Sequence, residues 1–242
     1  MKNRQMKAYL FVDAENHFLR STAAAERVFG SPKAAEALFR TDIPIHVQGF
    51  PIDMGASRFQ WELELQMFWD CGLLSPTGGL MTRLQAEIHR AIYVCSCVGD
   101  DEKVHSVRRK LRNYGFEPVV VKEKKELKNR RDAGLEKRCI MEKAKGCDIT
   151  LATRMVADAA LDLFDCCLLF TSDADFIPAV EAVRRMGKIV WVFGYSAELQ
   201  ERSPYLFVPD RFIDLEENLG PVKSNHGDAI KRAILRLDSE GS

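Results

Sequence analysis

The sequence predicts an α/β protein, a Rossmann-like sandwich on a mainly parallel central sheet. Ala8-Tyr9-Leu10-Phe11-Val12 and Cys166-Cys167-Leu168-Leu169-Phe170 are unbroken apolar runs, the pattern of parallel strands buried on both faces. Each run is followed at once by acidic residues, and the second then enters an amphipathic stretch, Ile177-Pro178-Ala179-Val180-Glu181-Ala182-Val183. Along the rest of the chain, short apolar runs alternate with segments of helical periodicity, as repeated strand–helix units do.

Taken in order, residues 23–40 read as helical after the first strand, interrupted at Phe29-Gly30-Ser31-Pro32. Residues 43–47 suit a short edge strand. Residues 59–69 alternate apolar and polar at period two, and residues 79–84 would pair with them across Ser75-Pro76-Thr77-Gly78, an inserted β-hairpin. Its aromatics Phe59 and Trp61 are core residues by default, with an interface (a homodimer's, for example) or base stacking as the other roles open to them. Residues 90–95 form a strand, residues 101–113 a helix ended by Gly115, and residues 118–122 the next strand. Helices follow at 136–145 and 149–162, then the Cys166 strand and a closing strand at 188–194. A short helix at 197–203 leads to 207–209 and 212–215, a final edge strand. Residues 224–242 are polar except for Ile230, Ala233, Ile234 and Leu237, one stripe of a short terminal helix. The expected organisation is one domain over residues 6–215, with an insertion at about 42–84, and a polar tail over 216–242.

Composition sets the outer limits. A chain of 242 residues that is 46% hydrophobic and 29% charged buries one substantial core. No apolar run approaches the roughly 20 residues of a membrane-spanning helix, and the charged start leads only into a short strand. A cytoplasmic protein is expected. The seven cysteines lack a C-x₂-C pair, so reduced, mostly buried thiols are expected rather than zinc or redox chemistry. Net charge is zero yet uneven: residues 103–145 hold 15 Lys+Arg against 6 Asp+Glu. That surplus either attracts a polyanion or is a solvated face.

The chemistry-bearing residues cluster at strand ends. Thr171-Ser172-Asp173-Ala174-Asp175-Phe176 places two carboxylates just after a buried strand, where open α/β sheets bind ligands. Two acids there repel each other unless a cation is near, and a hard divalent cation such as Mg²⁺ suits carboxylate oxygens. The plainer roles are Asp175 as a helix N-cap and Asp173 as a solvated turn residue. Asp13-Ala14-Glu15-Asn16 repeats the arrangement after the first strand, and Asp148 in Lys145-Gly146-Cys147-Asp148 stands where a helix begins, a capping position.

These segments, Phe11-Val12-Asp13-Ala14-Glu15-Asn16, Lys145-Gly146-Cys147-Asp148 and Ser172-Asp173-Ala174-Asp175-Phe176-Ile177-Pro178-Ala179-Val180, resemble in order and spacing the NYN domain, the LabA-type branch of the PIN-like nucleases. The resemblance covers about residues 6–215, and its most specific piece is the Ser-Asp-x-Asp-Phe-x-Pro segment. It implies a three-layer fold whose clustered acids hold Mg²⁺ or Mn²⁺ for cleavage of RNA. Carried over position by position, the metal-binding and catalytic set is Asp13, Asp148, Asp173 and Asp175. Asn16 and Ser172 would orient water or phosphate, and Lys145 with Arg154 would hold flanking phosphates. Arg154 stands where members with the fullest acidic set carry an acid; it either pairs with Asp158 one turn along or binds phosphate.

A metal-dependent ribonuclease acting on single-stranded or structured RNA is the first expectation. A catalytically weak or silent module that binds RNA or a protein is the second. A haloacid-dehalogenase-like phosphatase ranks last, because its second Asp would fall at Glu15.

Overall fold

Strand β1 (Met6–Asp13) is the hub of the computed structural model, which describes residues 6–34, 37, 86–113, 116–123, 146–199, 202–216 and 219–240. Five strands follow: β2 (Ala86–Val98), β3 (Glu117–Glu123), β4 (Cys166–Phe170), β5 (Ile189–Gly194) and β6 (Arg211–Asp214). All pair in parallel, in the order β3-β2-β1-β4-β5-β6. The chain moves outward from β1 through β2 to β3, then returns to β4 and moves outward the other way. The direction therefore switches between β1 and β4, and their carboxyl ends form the crevice where such sheets bind ligands.

Helices α1 (Ala14–Phe29), α2 (Asp101–Asn113) and α5 (Leu219–Glu240) cover one face, while α3 (Cys147–Ala160) and α4 (Ile177–Arg185) cover the other. Strand alternation divides the core accordingly. Ala8, Leu10 and Val12 join Phe170, Phe193 and the Ile230–Ala233–Leu237 stripe of α5 on the first face. Tyr9 and Phe11 join Leu169, Val192, Met155 and Val180 on the second. With helices on both faces, neither side of β1 or β4 meets water, which is why their sequences run apolar without alternation. The sheet is all-parallel and three-layered, as the sequence implied.

Several boundaries differ from expectation. Helix α1 begins at Ala14, not near residue 23, because Asp13 caps it: its carboxylate accepts a bond from the Asn16 amide at 3.4 Å. Gly30, at φ 72°, ends the helix in the left-handed conformation that only glycine adopts without cost. Strand β2 extends beyond residues 90–95 at both ends, and the helix expected at 149–162 lies two residues earlier. Among the described residues of 197–203 the structure has the 3₁₀ turn Ser196–Glu198 at its start, and a second one forms at Pro204–Leu206. Residues 207–209 approach β6 without joining it. The terminal helix is 22 residues long rather than short, its apolar stripe packed over α1. The expected hairpin with Phe59 and Trp61, the 43–47 strand, Gly115, the 136–145 helix and Lys145 all lie outside the described residues. No helix among the described residues is long and apolar enough to cross a membrane.

Candidate metal centre

Alternation along β1 turns Asp13 toward the same face as Tyr9 and Phe11, the face carried by α3 and α4. Asp148 lies in the first turn of α3, and Asp173 and Asp175 lie between β4 and α4. Three elements thus deliver acids to one crevice. One carboxylate oxygen from each of Asp148, Asp173 and Asp175 lies within 4.8 Å of the others. Asp13, the fourth acid expected at this site, is not part of that group; it is 4% exposed, and the charges of Asp148 and Asp173 act on it.

The local turns explain how these residues come together. Thr171, 1% exposed, donates its hydroxyl to Asp13 Oδ2 at 2.9 Å and accepts the Asp173 amide at 3.1 Å. Asp173 in turn accepts the Asp175 amide at 3.1 Å, capping the 3₁₀ turn Ala174–Phe176. Capping therefore falls to Asp173, not Asp175, and α4 starts from Phe176 with no side-chain cap. At α3 the N-cap is Gly146 at φ 119°, so Asp148 does not serve as the cap either. The plainer roles weighed for Asp175 and Asp148 do not describe this structure.

Asn16 and Ser172 join the second tier of the crevice. Asn16 Oδ1 accepts the Ser172 amide at 2.9 Å, tying the start of α1 to the end of β4. Ser172 Oγ accepts the Tyr195 amide at 2.9 Å. Gly194 permits this approach: a Cβ there would stand 2.6 Å from Ser172 Oγ and 2.8 Å from the Thr171 carbonyl oxygen. Tyr205, fully buried, donates its hydroxyl to the Asp173 carbonyl oxygen.

Arg154 is not brought to the acids. Its guanidinium bridges Asp158 at 2.7 Å and Glu117 at 3.1 Å. Glu117 begins β3, level with Ile92 in mid-β2, and Arg154 lies six residues, about 9 Å, along α3 from Asp148. Asp158 is 4% exposed, so the pair is part of the packed face of α3 rather than a surface pair.

Electrostatics mark the crevice as anionic and partly dry. Burial, then the neighbouring Asp148 and Asp173, raise the Asp13 carboxyl to about 7, against the lowering effect of the Thr171 and Asn16 bonds. The Cys147 thiol beside the cluster is pushed up to about 12 by burial and by Glu15, Cys95, Asp148 and Asp13, so it stays protonated. The donors that converge are therefore carboxylate oxygens alone, the set that hard divalent cations take. A carboxyl whose charged form is disfavoured first by burial and then by neighbouring acids is also the group a cation would relieve. The residues present fit a Mg²⁺ or Mn²⁺ ion.

Thr171, Gly194 and Tyr205 were not singled out from the sequence. A glycine closing an apolar strand, as Gly194 does, signals close backbone approach. Thr171 and Tyr205 carry no such signal, because their roles depend on contacts across 158 and 32 residues.

The fold and crevice define a class: a parallel Rossmann-like α/β domain with a metal-suited carboxylate cluster at its switch point. The chain belongs to the NYN domain family, whose model matches residues 7–216. That family is one of PIN-like nuclease domains that act on nucleic acid with divalent metals, in agreement with the resemblance seen in the sequence. No curated protein matches the chain. Among solved structures, a Vibrio parahaemolyticus protein of unknown function is similar, with 18% identity, a TM-score of 0.45, and coverage of 88% of this chain and 95% of that one.

Proposed function

We infer that this protein is a metal-dependent ribonuclease that hydrolyses RNA phosphodiester bonds. The observation that supports it best is the convergence of Asp148, Asp173 and Asp175 within 4.8 Å, with the buried Asp13 electrostatically coupled to Asp148 and Asp173. A cation held there would lower the pKa of a bound water and offset charge on the scissile phosphate. In this reading Asp148, Asp173 and Asp175 ligate directly, and Asp13 completes the set once ionised. Thr171 holds the Asp13 carboxylate in place, and Asn16 and Ser172 fix the seam between β1 and β4 on which a phosphate would rest. Lys145 remains the proposed holder of a flanking phosphate. Arg154 would act on substrate only by leaving Asp158 and Glu117. The five cysteines among the described residues are free and buried, which suits the reducing cytoplasm proposed for the protein.

The test is cleavage of single-stranded RNA with Mn²⁺ by wild type and Asp173→Asn. Loss of cleavage in the variant is expected, and equal cleavage by both would sink the assignment.

A silent NYN module that binds RNA or a protein is the second reading, favoured by one observation: Arg154, where an acid is usual, is locked between Asp158 and Glu117. Thermal stabilisation by millimolar Mn²⁺ that Asp13→Ala abolishes separates the two, since a silent module that has lost its metal shows none.

A further inference from the structure

The 3₁₀ turn Pro204–Leu206 contributes nothing to the carboxylate set, yet it is built with unusual redundancy. Ser203 Oγ accepts the Tyr205 amide at 3.4 Å, and the Ser203 carbonyl accepts the Leu206 amide at 3.0 Å. The Pro204 carbonyl accepts the Val208 amide at 2.7 Å, and Arg184 of α4 donates to the Val208 carbonyl at 2.5 Å. Arg184 also holds Asp210 at 2.8 Å, and Asp210 is pinned to β5 by the Val190 amide at 2.7 Å. The turn is thereby fixed to both α4 and β5.

Its one fully buried side chain is Tyr205, whose ring leans on Phe212 with centroids 6.2 Å apart. The hydroxyl reaches the Asp173 carbonyl oxygen. The plainest account is that a buried tyrosine satisfied its hydroxyl at the nearest carbonyl. Where that bond lands argues for more. The Asp173 amide is held by Thr171 Oγ1, which itself bonds Asp13, and the Asp173 carbonyl also accepts the Phe176 amide at 3.2 Å. With Tyr205, both peptide groups flanking Asp173 are fixed, and Asp175 follows two residues later on the same turn.

We propose that Tyr205 is the positioning residue of this site: its hydroxyl sets the peptide after Asp173 so that Asp173 and Asp175 face a common point with Asp148. The proposal rests on the metal-site reading above. Groups that orient metal ligands from behind change affinity without touching the ion, commonly by 10- to 100-fold.

The experiment is calorimetric titration of the full chain with Mn²⁺, comparing wild type, Tyr205→Phe and Phe212→Leu. Tyr205→Phe keeps the ring and removes only the hydroxyl; Phe212→Leu loosens the packing beneath it and leaves the bond in place. The expected result is Mn²⁺ affinity about tenfold weaker for Tyr205→Phe, with Phe212→Leu near wild type though it melts earlier. If RNA cleavage is also followed, the Mn²⁺ midpoint of Tyr205→Phe shifts while the rate at saturating Mn²⁺ recovers. Should Tyr205→Phe fail to fold, Ser203→Ala, which frees the turn's amide anchor, shows a smaller shift in the same direction. Unchanged affinity in folded Tyr205→Phe overturns the proposal alone. Equal losses in Tyr205→Phe and Phe212→Leu reduce it to packing and overturn it as well. Absence of Mn²⁺ binding by wild type overturns the metal site itself and this proposal with it.

Discussion

Thr171 Oγ1 stands 2.9 Å from Asp13 Oδ2, joining the ends of the two strands between which the sheet reverses direction. The same hydroxyl accepts the Asp173 amide at 3.1 Å, so one side chain links a buried acid on β1 to a ligand loop after β4. Thr171→Val keeps the shape and removes both bonds. The carboxylate then loses a donor that lowers its pKa, and the Asp173 peptide loses its acceptor. The expected cost is about 1–3 kcal/mol in denaturant unfolding, with Mn²⁺ binding weakened roughly tenfold. A stable variant with unchanged Mn²⁺ affinity would refute the link.

The Asp13 carboxyl has a pH signature whose sign follows from its environment. Folding raises it from 3.8 to about 7, chiefly by burial, so between those values the folded state holds a proton that the unfolded state releases. This contribution to stability is present in full at low pH and is lost as pH rises through about 7. Its upper bound is about 4 kcal/mol. Without metal, Asp13→Asn should flatten that decline, measured as thermal midpoints from about pH 4.5 to 8. Metal acts oppositely, because a cation favours the ionised carboxyl. Stabilisation by Mn²⁺ should therefore grow across the same range in wild type and stay flat in Asp13→Asn.

Much of this architecture is legible in the sequence, and for identifiable reasons. Buried parallel strands must be apolar throughout, so β1 and β4 announce themselves, and acids that break such runs mark the carboxyl edge where Asp13 and Asp173 emerge. What escapes is whatever depends on register. The start of helix α1 escapes because Asp13, Glu15 and Asn16 favour turns locally, while the strand end in fact supplies an N-cap at Asp13. The roles of Thr171, Tyr205 and Gly194 exist only once β4 lies between β1 and β5. The capping alternative for Asp148 and Asp175 fails for a related reason: Gly146 and Asp173 stand at the cap positions, and no spacing rule fixes which of several neighbouring residues will do so.

Gly194→Ala tests the packing of the seam. The added methyl would stand 2.8 Å from the Thr171 carbonyl oxygen and 2.6 Å from Ser172 Oγ. The hydroxyl can rotate away, but the carbonyl belongs to the backbone between two paired strands and cannot. Overpacking of this kind costs about 1–3 kcal/mol. The displaced Ser172 also gives up the Tyr195 amide, so Mn²⁺-induced stabilisation should fall along with the melting temperature. A variant that melts with wild type and responds normally to Mn²⁺ would show that the strands adjust at no cost.

Arg154 separates a structural role from a catalytic deficit. If this arginine merely occupies the place of an absent acid, restoring a carboxylate with Arg154→Glu should improve metal binding. The structure argues the reverse. The side chain at this position runs to Asp158 and Glu117, and Asp158 is 4% exposed. A glutamate there meets two carboxylates of its own sign, and a buried acid loses its partner, a situation that costs about 3–5 kcal/mol when the pair is fully desolvated. Arg154 is 32% exposed, so about 2 kcal/mol is the better expectation. Arg154→Gln, without the repulsion, should lose less. In both variants the acids at the carboxyl edge remain in place, so calorimetric Mn²⁺ affinity should stay within about twofold of wild type wherever the protein is folded. A gain in affinity or RNA cleavage by Arg154→Glu would place this position within reach of the metal and refute the assignment of Arg154 to the packing of α3 against β3.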